Sequence, residues 1–125
     1  MSVTGRELVE RAEAAAARAY APYSNYHVGA TLLLKDGSLV DGVNVENAAY
    51  PLGVCAERTA ISRAASEGVR PGEIEAIGIT ASPCGGCRQW LHEWKVERVS
   101  FRREDGTIAE YAPASALLPD TWDLP

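Results

Sequence analysis

The segment from Ile74 to Arg102 constrains the fold more than any other part of the chain. Ile74 to Thr80 reads as a strand, Ser82-Pro83 as a turn, Cys84 to Trp94 as a helix and Val96 to Arg102 as a second strand. Two strands joined through a helix run parallel with a right-handed crossover. The rest of the chain must build on that unit. Upstream, Val28, Ala30, Leu32 and Leu34 alternate with His27, Gly29, Thr31 and Leu33, a largely buried strand. Asp36-Gly37 signals a hairpin turn, and Leu39 to Asn44 returns. Downstream, Asp105-Gly106 marks a second hairpin, with Thr107 to Tyr111 returning antiparallel. The two hairpins flank the parallel pair. A first helix from Gly5 to Tyr20 opens on a capping box, Thr4 with Glu7, and on a hydrophobic staple of Val3 and Leu8. Another runs from Cys55 to Glu67, with Gly68 placed to end it. A short helix covers Ala114 to Leu118, and Val45 to Val54 reads as a loop. This order predicts the α/β class: a mixed five-stranded sheet with helices on both faces, a three-layer α/β/α sandwich.

With 125 residues, no repeat and no linker, the chain reads as one domain, 1–125. Apolar residues are 46% and charged residues 23%, which excludes a disordered chain. Twelve basic against 17 acidic side chains give a net charge of −5. That balance offers no footprint for a phosphate backbone, so neither nucleic acid nor an anionic membrane is an expected partner. No apolar run reaches the roughly 20 residues of a membrane span. Met1 to Glu7 lacks the basic-then-apolar order of a secretory leader, so the expected location is cytoplasmic. Three cysteines, an odd count, exclude a closed disulfide framework; clustered in a reducing compartment, they suit a metal or redox chemistry.

Those cysteines sit at predicted helix starts. Cys84 and Cys87 lie three apart on a first turn, so both sulfurs face one way. Cys55 opens the other helix, and helix N-termini favour the thiolate that binds zinc. Three thiolates are three ligands of a tetrahedral Zn²⁺ site. His92 is five residues past Cys87, roughly 7.5 Å along the axis, too far to share a metal with Cys84. His27 stays open as a fourth ligand. Three protein ligands leave a position for an acidified water, whereas four make a structural site. Glu57, two residues beyond Cys55, fits a proton carrier that stays off the metal. Arg58 fits a donor to thiolate sulfur that offsets the excess negative charge.

The elements Cys55-Ala56-Glu57 and Pro83-Cys84-Gly85-Gly86-Cys87 resemble the zinc-deaminase signature. With Tyr23 to Ala30, Asn44 to Ala48, Cys55 to Ala60 and Cys84 to Gln89, the resemblance is to the small homotetrameric cytidine deaminases, from about Tyr20 to Pro119. It implies hydrolysis of cytidine and deoxycytidine, with Zn²⁺ on Cys55, Cys84 and Cys87 and with Glu57 as the proton shuttle. It further implies Asn44 and Glu46 on the ribose hydroxyls, Tyr26 beside the nucleoside, the Ala56 backbone at the pyrimidine carbonyl, and a homotetramer. Asn44 and Glu46 share one face of an extended segment, and an amide with a carboxylate suits neutral hydroxyls. Three positions depart from the family pattern. Gly53 stands where a hydroxyl residue is common, Pro51 precedes Leu52, and Trp122 replaces a phenylalanine that reaches a neighbouring subunit's site. Trp90 and Trp94, four apart on a helix, read as packing or interface residues; Arg98, Arg102 and Arg103 read as a solvated basic face. Three rival readings remain: a protein-binding zinc module using His27, a thiol-disulfide oxidoreductase using Cys84 and Cys87, and a deaminase of another aminopyrimidine.

Overall fold

Thr4 and Glu7 start α1 (Gly5–Ala15) as a complete capping box: the Thr4 hydroxyl accepts from the Glu7 N–H, and the Glu7 carboxylate accepts from the Thr4 N–H. The computed structural model describes residues 3–124. The reading of Met1 and Ser2 as a leaderless start lies outside them. The α-helix ends five residues before Tyr20. A 3₁₀ turn, Ala16–Arg18, tightens its end, and Ala19 is extended. The cause is tertiary: Tyr20 donates its N–H to Asn44 O at 3.0 Å and accepts from the Glu46 N–H at 2.8 Å, a strand-like pairing no helix permits.

Five strands form one sheet: β1 (Gly29–Leu34), β2 (Leu39–Val43), β3 (Ile74–Ile79), β4 (Arg98–Arg102) and β5 (Ile108–Tyr111). Their order is β2-β1-β3-β4-β5. Only β3 and β4 are parallel; β1 pairs antiparallel with both β2 and β3, and β5 is antiparallel to β4. Residues alternate between faces as period-two strands require. Leu33 and Ala76 pack with Leu8 of α1 on one face. Ala30, Leu32, Ile77 and Ile79 pack on the other with Ile61 of α2 (Ala56–Ser66) and Leu91 of α3 (Gly85–Glu93). The predicted three layers are therefore present. Ile61, Ile77 and Leu91 are fully buried. Each such side chain contributes about 1.5–3 kcal/mol over its exposed state, so the core itself seats α2 and α3.

Two close approaches set the spacing of the layers. A Cβ at Gly42 would lie 2.5 Å from Ala56 O of α2, and a Cβ at Gly78 would lie 2.5 Å from Leu8 of α1. At its far end α2 closes with the Gly68 N–H on Ala65 O and the Val69 N–H on Ala64 O, both at 3.0 Å, Gly68 taking φ 101°. A closing 3₁₀ turn spans Ala114–Leu117.

Of the basic face expected at Arg98, Arg102 and Arg103, only Arg103 is solvated; the other two are paired. Arg98 donates to Glu75 at 3.0 Å and to Val3 O, and Arg102 grips Glu13 with Nε and Nη2 at 3.1 and 3.0 Å. Glu13 of α1 and Glu75 of the neighbouring β3 supply the carboxylates, which the local pattern around β4 does not reveal. Trp90 and Trp94 pack against the core. No described helix is long and apolar enough to cross a membrane.

Candidate functional site

The C-terminal ends of β2 and β3 and the N-terminal end of β1 share one edge of the sheet, since β1 is antiparallel to both. Chain leaving or entering that edge lines a cavity of about 470 Å³. Ligands gather there in sheets with parallel crossovers because helix N-termini converge on it. Cys55 and Cys84 are the N-cap residues of α2 and α3, both in extended conformation, and neither side chain caps its own helix. Their sulfurs are thus free to point outward, and Cys87 joins them from the first turn of α3.

The three Sγ atoms lie within 4.8 Å of one another, with Cys55 and Cys84 at 4.0 Å. Tetrahedral Zn–S bonds of about 2.3 Å separate sulfurs by about 3.8 Å, so the cluster fits the ion with a small contraction. No other group of three or more potential ligands occurs among the described residues. His27 is exposed, with Nδ1 3.2 Å from Asn25 O, and His92 Nε2 pairs with Asp123 at 2.7 Å; neither joins the sulfurs. The fourth ligand that a closed structural site needs is not supplied by His27.

Electrostatics also favour a cation here. Burial pushes the Cys55 and Cys87 thiols up, and the neighbouring Glu57 charge pushes the same way. Burial raises Cys84 too, but hydrogen bonds from the Cys87 backbone and side chain and from Arg58 outweigh it, and its net shift is downward. Arg58 Nη2 lies 3.5 Å from Cys55 Sγ and 3.9 Å from Cys84 Sγ. Contact with Cys87 leads in raising the Arg58 pKa, so the guanidinium stays charged. Its buried Nε–H has no acceptor among the described residues. A half-buried guanidinium with an unmet Nε donor is favoured by concentrated negative charge beside it. Three thiolates holding a divalent ion would supply that, carrying one net negative charge beside the Arg58 cation.

Glu57 is 3% exposed yet faces the cavity from the first turn of α2. Burial raises its carboxyl above the usual range, against hydrogen bonds from its own backbone N–H and Cys87 and the charge of Arg58. Ala56, fully buried as a residue, lines the same wall. Asn44 and Glu46, which extend β2, line the same cavity, and Tyr26 stands 61% exposed beside them.

The chain matches the model of the cytidine and deoxycytidylate deaminase zinc-binding region over residues 3–103. It belongs to that family. Its similarity to a cytidine deaminase of Halalkalibacterium halodurans is 49% identity over 123 residues, 92% of this chain and 91% of the relative. The fold superposes on cytidine deaminase from Burkholderia pseudomallei with a TM-score of 0.88 at 42% identity, covering 96% of this chain and all of the other. For cytidine deaminase from Mycobacterium tuberculosis the TM-score is 0.81 at 34% identity, covering 98% and 100%. The Cys55, Cys84 and Cys87 set of this deaminase fold fits Zn²⁺.

Two features of this family member escape a reading of single residues. Arg88 donates Nε to Pro83 O at 2.9 Å, Nη2 to the Ser82 hydroxyl at 3.1 Å and Nη1 to Leu117 O at 3.2 Å, tying the approach to Cys84 onto the closing turn. Ser24 bonds Glu46, 22 positions away. The break after Tyr20 follows from Pro22, but nothing local points to the distant partner. At the departures, Pro51 sits in a 3₁₀ turn, Tyr50–Leu52. Gly53 has an ordinary φ of −63°, and a Cβ there would meet Tyr50 O at 3.5 Å, so a hydroxyl side chain would fit. Trp122 is exposed.

Proposed function

We propose that this deaminase hydrolyses cytidine and 2′-deoxycytidine to uridine and 2′-deoxyuridine, releasing ammonia, in pyrimidine salvage. The observation that carries the reading is the gathering of three sulfurs and a buried carboxylate, Glu57, on one cavity. Cys55, Cys84 and Cys87 hold the metal. When bound, Zn²⁺ supplies a Lewis acid that makes water a nucleophile near neutral pH. Glu57 carries protons: its carboxylate takes one from water and delivers it to the ring nitrogen of the pyrimidine, then takes the proton left on the added oxygen and passes it to the amine, which departs as ammonia while the carbonyl forms. Its burial suits this, because a raised pKa makes the protonated form a competent donor nearer neutral pH. Arg58 keeps the thiolate cluster neutral overall, and the Ala56 backbone orients the pyrimidine carbonyl. Tyr26 packs beside the nucleoside while Asn44 and Glu46 take its sugar hydroxyls. The carboxylate of Glu46 repels a phosphorylated sugar.

One domain carries all of this. The assembly we propose is a homotetramer, supported by the exposed apolar side chains Val45, Tyr50 and Leu52 near the cavity, with Trp122 reaching a neighbouring copy. The location we propose is the cytoplasm, where a reducing medium keeps three free thiols available. Ultraviolet absorbance followed after adding cytidine, cytosine or cytidine monophosphate to the zinc-loaded protein tests the reading. Rapid change with cytidine alone supports it. Turnover of another aminopyrimidine in preference to cytidine overturns it.

A further inference from the structure

Three donors already occupy Glu46. The Tyr23 and Ser24 N–H groups donate to Oε1 at 3.0 and 3.1 Å, and the Ser24 hydroxyl donates to Oε2. A carboxylate accepts about four hydrogen bonds, so one position remains, on Oε2. Asn44 is similarly committed. Its Oδ1 accepts from the Val28 N–H and its Nδ2 donates to Tyr26 O, both at 2.8 Å. One Nδ2 hydrogen remains for a ligand. A free acceptor beside a free donor matches a single hydroxyl group, which gives one proton and receives another.

Ser24 closes this arrangement. Its Oγ donates to Glu46 and accepts from the Tyr26 N–H at 3.0 Å, so one hydroxyl links the carboxylate to the backbone of the aromatic beside it. Oε1 is held by two backbone donors, but among the described residues Oε2 is held by Ser24 alone. We infer that Ser24 is a positioning residue for sugar recognition: its hydroxyl aims the one unoccupied lone pair of Glu46 Oε2 into the cavity. This rests on the reading of Asn44 and Glu46 as the sugar's partners.

The test pairs Ser24→Ala and Ser24→Thr with two substrates, cytidine and 2′,3′-dideoxycytidine, the second lacking the hydroxyls to be read. In the unaltered enzyme, cytidine has the lower KM. Ser24→Ala raises the KM for cytidine about ten-fold, leaves kcat within two-fold, and does not move the KM for the dideoxy substrate. Ser24→Thr, which keeps the hydroxyl, restores the KM for cytidine. Equal KM rises for both substrates, a fall in kcat alone, or no change would reduce Ser24 to a loop residue and overturn the inference while leaving Glu46 its role. If the unaltered enzyme does not distinguish the two substrates, the sugar reading itself falls, and this inference with it. Should Ser24→Ala fail to fold, Ser24→Cys, similar in size but a weak donor, must give the same cytidine-only KM rise.

Discussion

Replacing Glu57 by Gln removes a titratable proton while keeping nearly the same shape. The residue is 3% exposed and its neighbours are close-packed, so an isostere avoids the cavity an alanine would leave. The amide moves no proton in the range that matters. The other carboxylate lining the cavity, Glu46, is already held by three donors, two of them backbone N–H groups, and is not free to stand in. General acid-base help is worth about 10²–10⁴ per positioned group. With a single group serving two transfers and no substitute nearby, kcat is expected at the far end, down about 10⁴. At about 1.4 kcal/mol per factor of ten, that is about 5 kcal/mol of lost transition-state stabilisation. The three sulfurs are untouched, so bound zinc stays at one per chain and the melting curve does not fall. The assay is absorbance-monitored turnover of cytidine, with zinc measured by elemental analysis on the same sample. Turnover within ten-fold of the unaltered enzyme at full zinc would refute the assignment of proton transfer to Glu57.

Chelation removes activity but not the fold, because the buried core seats α2 and α3 independently of the ion; far-ultraviolet circular dichroism stays and activity returns with added Zn²⁺. Gly42→Ala drives a methyl into Ala56 O at 2.5 Å, forcing α2 away from the sheet; a loss of about 1–3 kcal/mol is expected with reduced zinc occupancy, whereas Gly53→Ser leaves both unchanged. Asp41 accepts from the fully buried Thr31 hydroxyl at 2.8 Å and from Arg11 Nε and Nη2 at 3.0 and 3.2 Å. Asp41→Ala strands that hydroxyl and lowers stability by about 1–3 kcal/mol, read as a drop in urea midpoint. Burial raises the Asp41 carboxyl, but the Arg11 and Thr31 hydrogen bonds with the Arg11 and Arg18 charges outweigh it and hold it below its ordinary value. A depressed carboxyl stabilises the fold above its unfolded pKa of about 3.9 and ceases to as pH falls through the folded value. The urea midpoint therefore falls below about pH 5, and Asp41→Asn flattens that fall.

Local signals carried most of the architecture. Thr4 with Glu7, the two Asp-Gly turns and Gly68 each specify a boundary from within four or five residues, and all appear in place. The end of α1 was not legible, because Tyr20 leaves the helix to pair with residues near 45. The pairing of Arg98 and Arg102 with Glu75 and Glu13 was equally hidden, since the carboxylates stand 23 and 89 positions away. At the site, helix-start positions for Cys55 and Cys84 follow from local pattern, and the thiols are indeed N-caps. That Asn44 and Glu46 also hold residues 23–28 in place was beyond reach, because it depends on which backbone groups the turn leaves unpaired.

The layer formed by α1 contributes no group to the cavity; every cysteine and acid there comes from the opposite layer or from the sheet's edge. Sequence drift on the two sides should then leave different scars. A randomised α1 library would yield less protein per cell with the turnover number of each surviving molecule intact, so that this face of the molecule is available for engineering solubility, tags or immobilisation without retuning the catalyst.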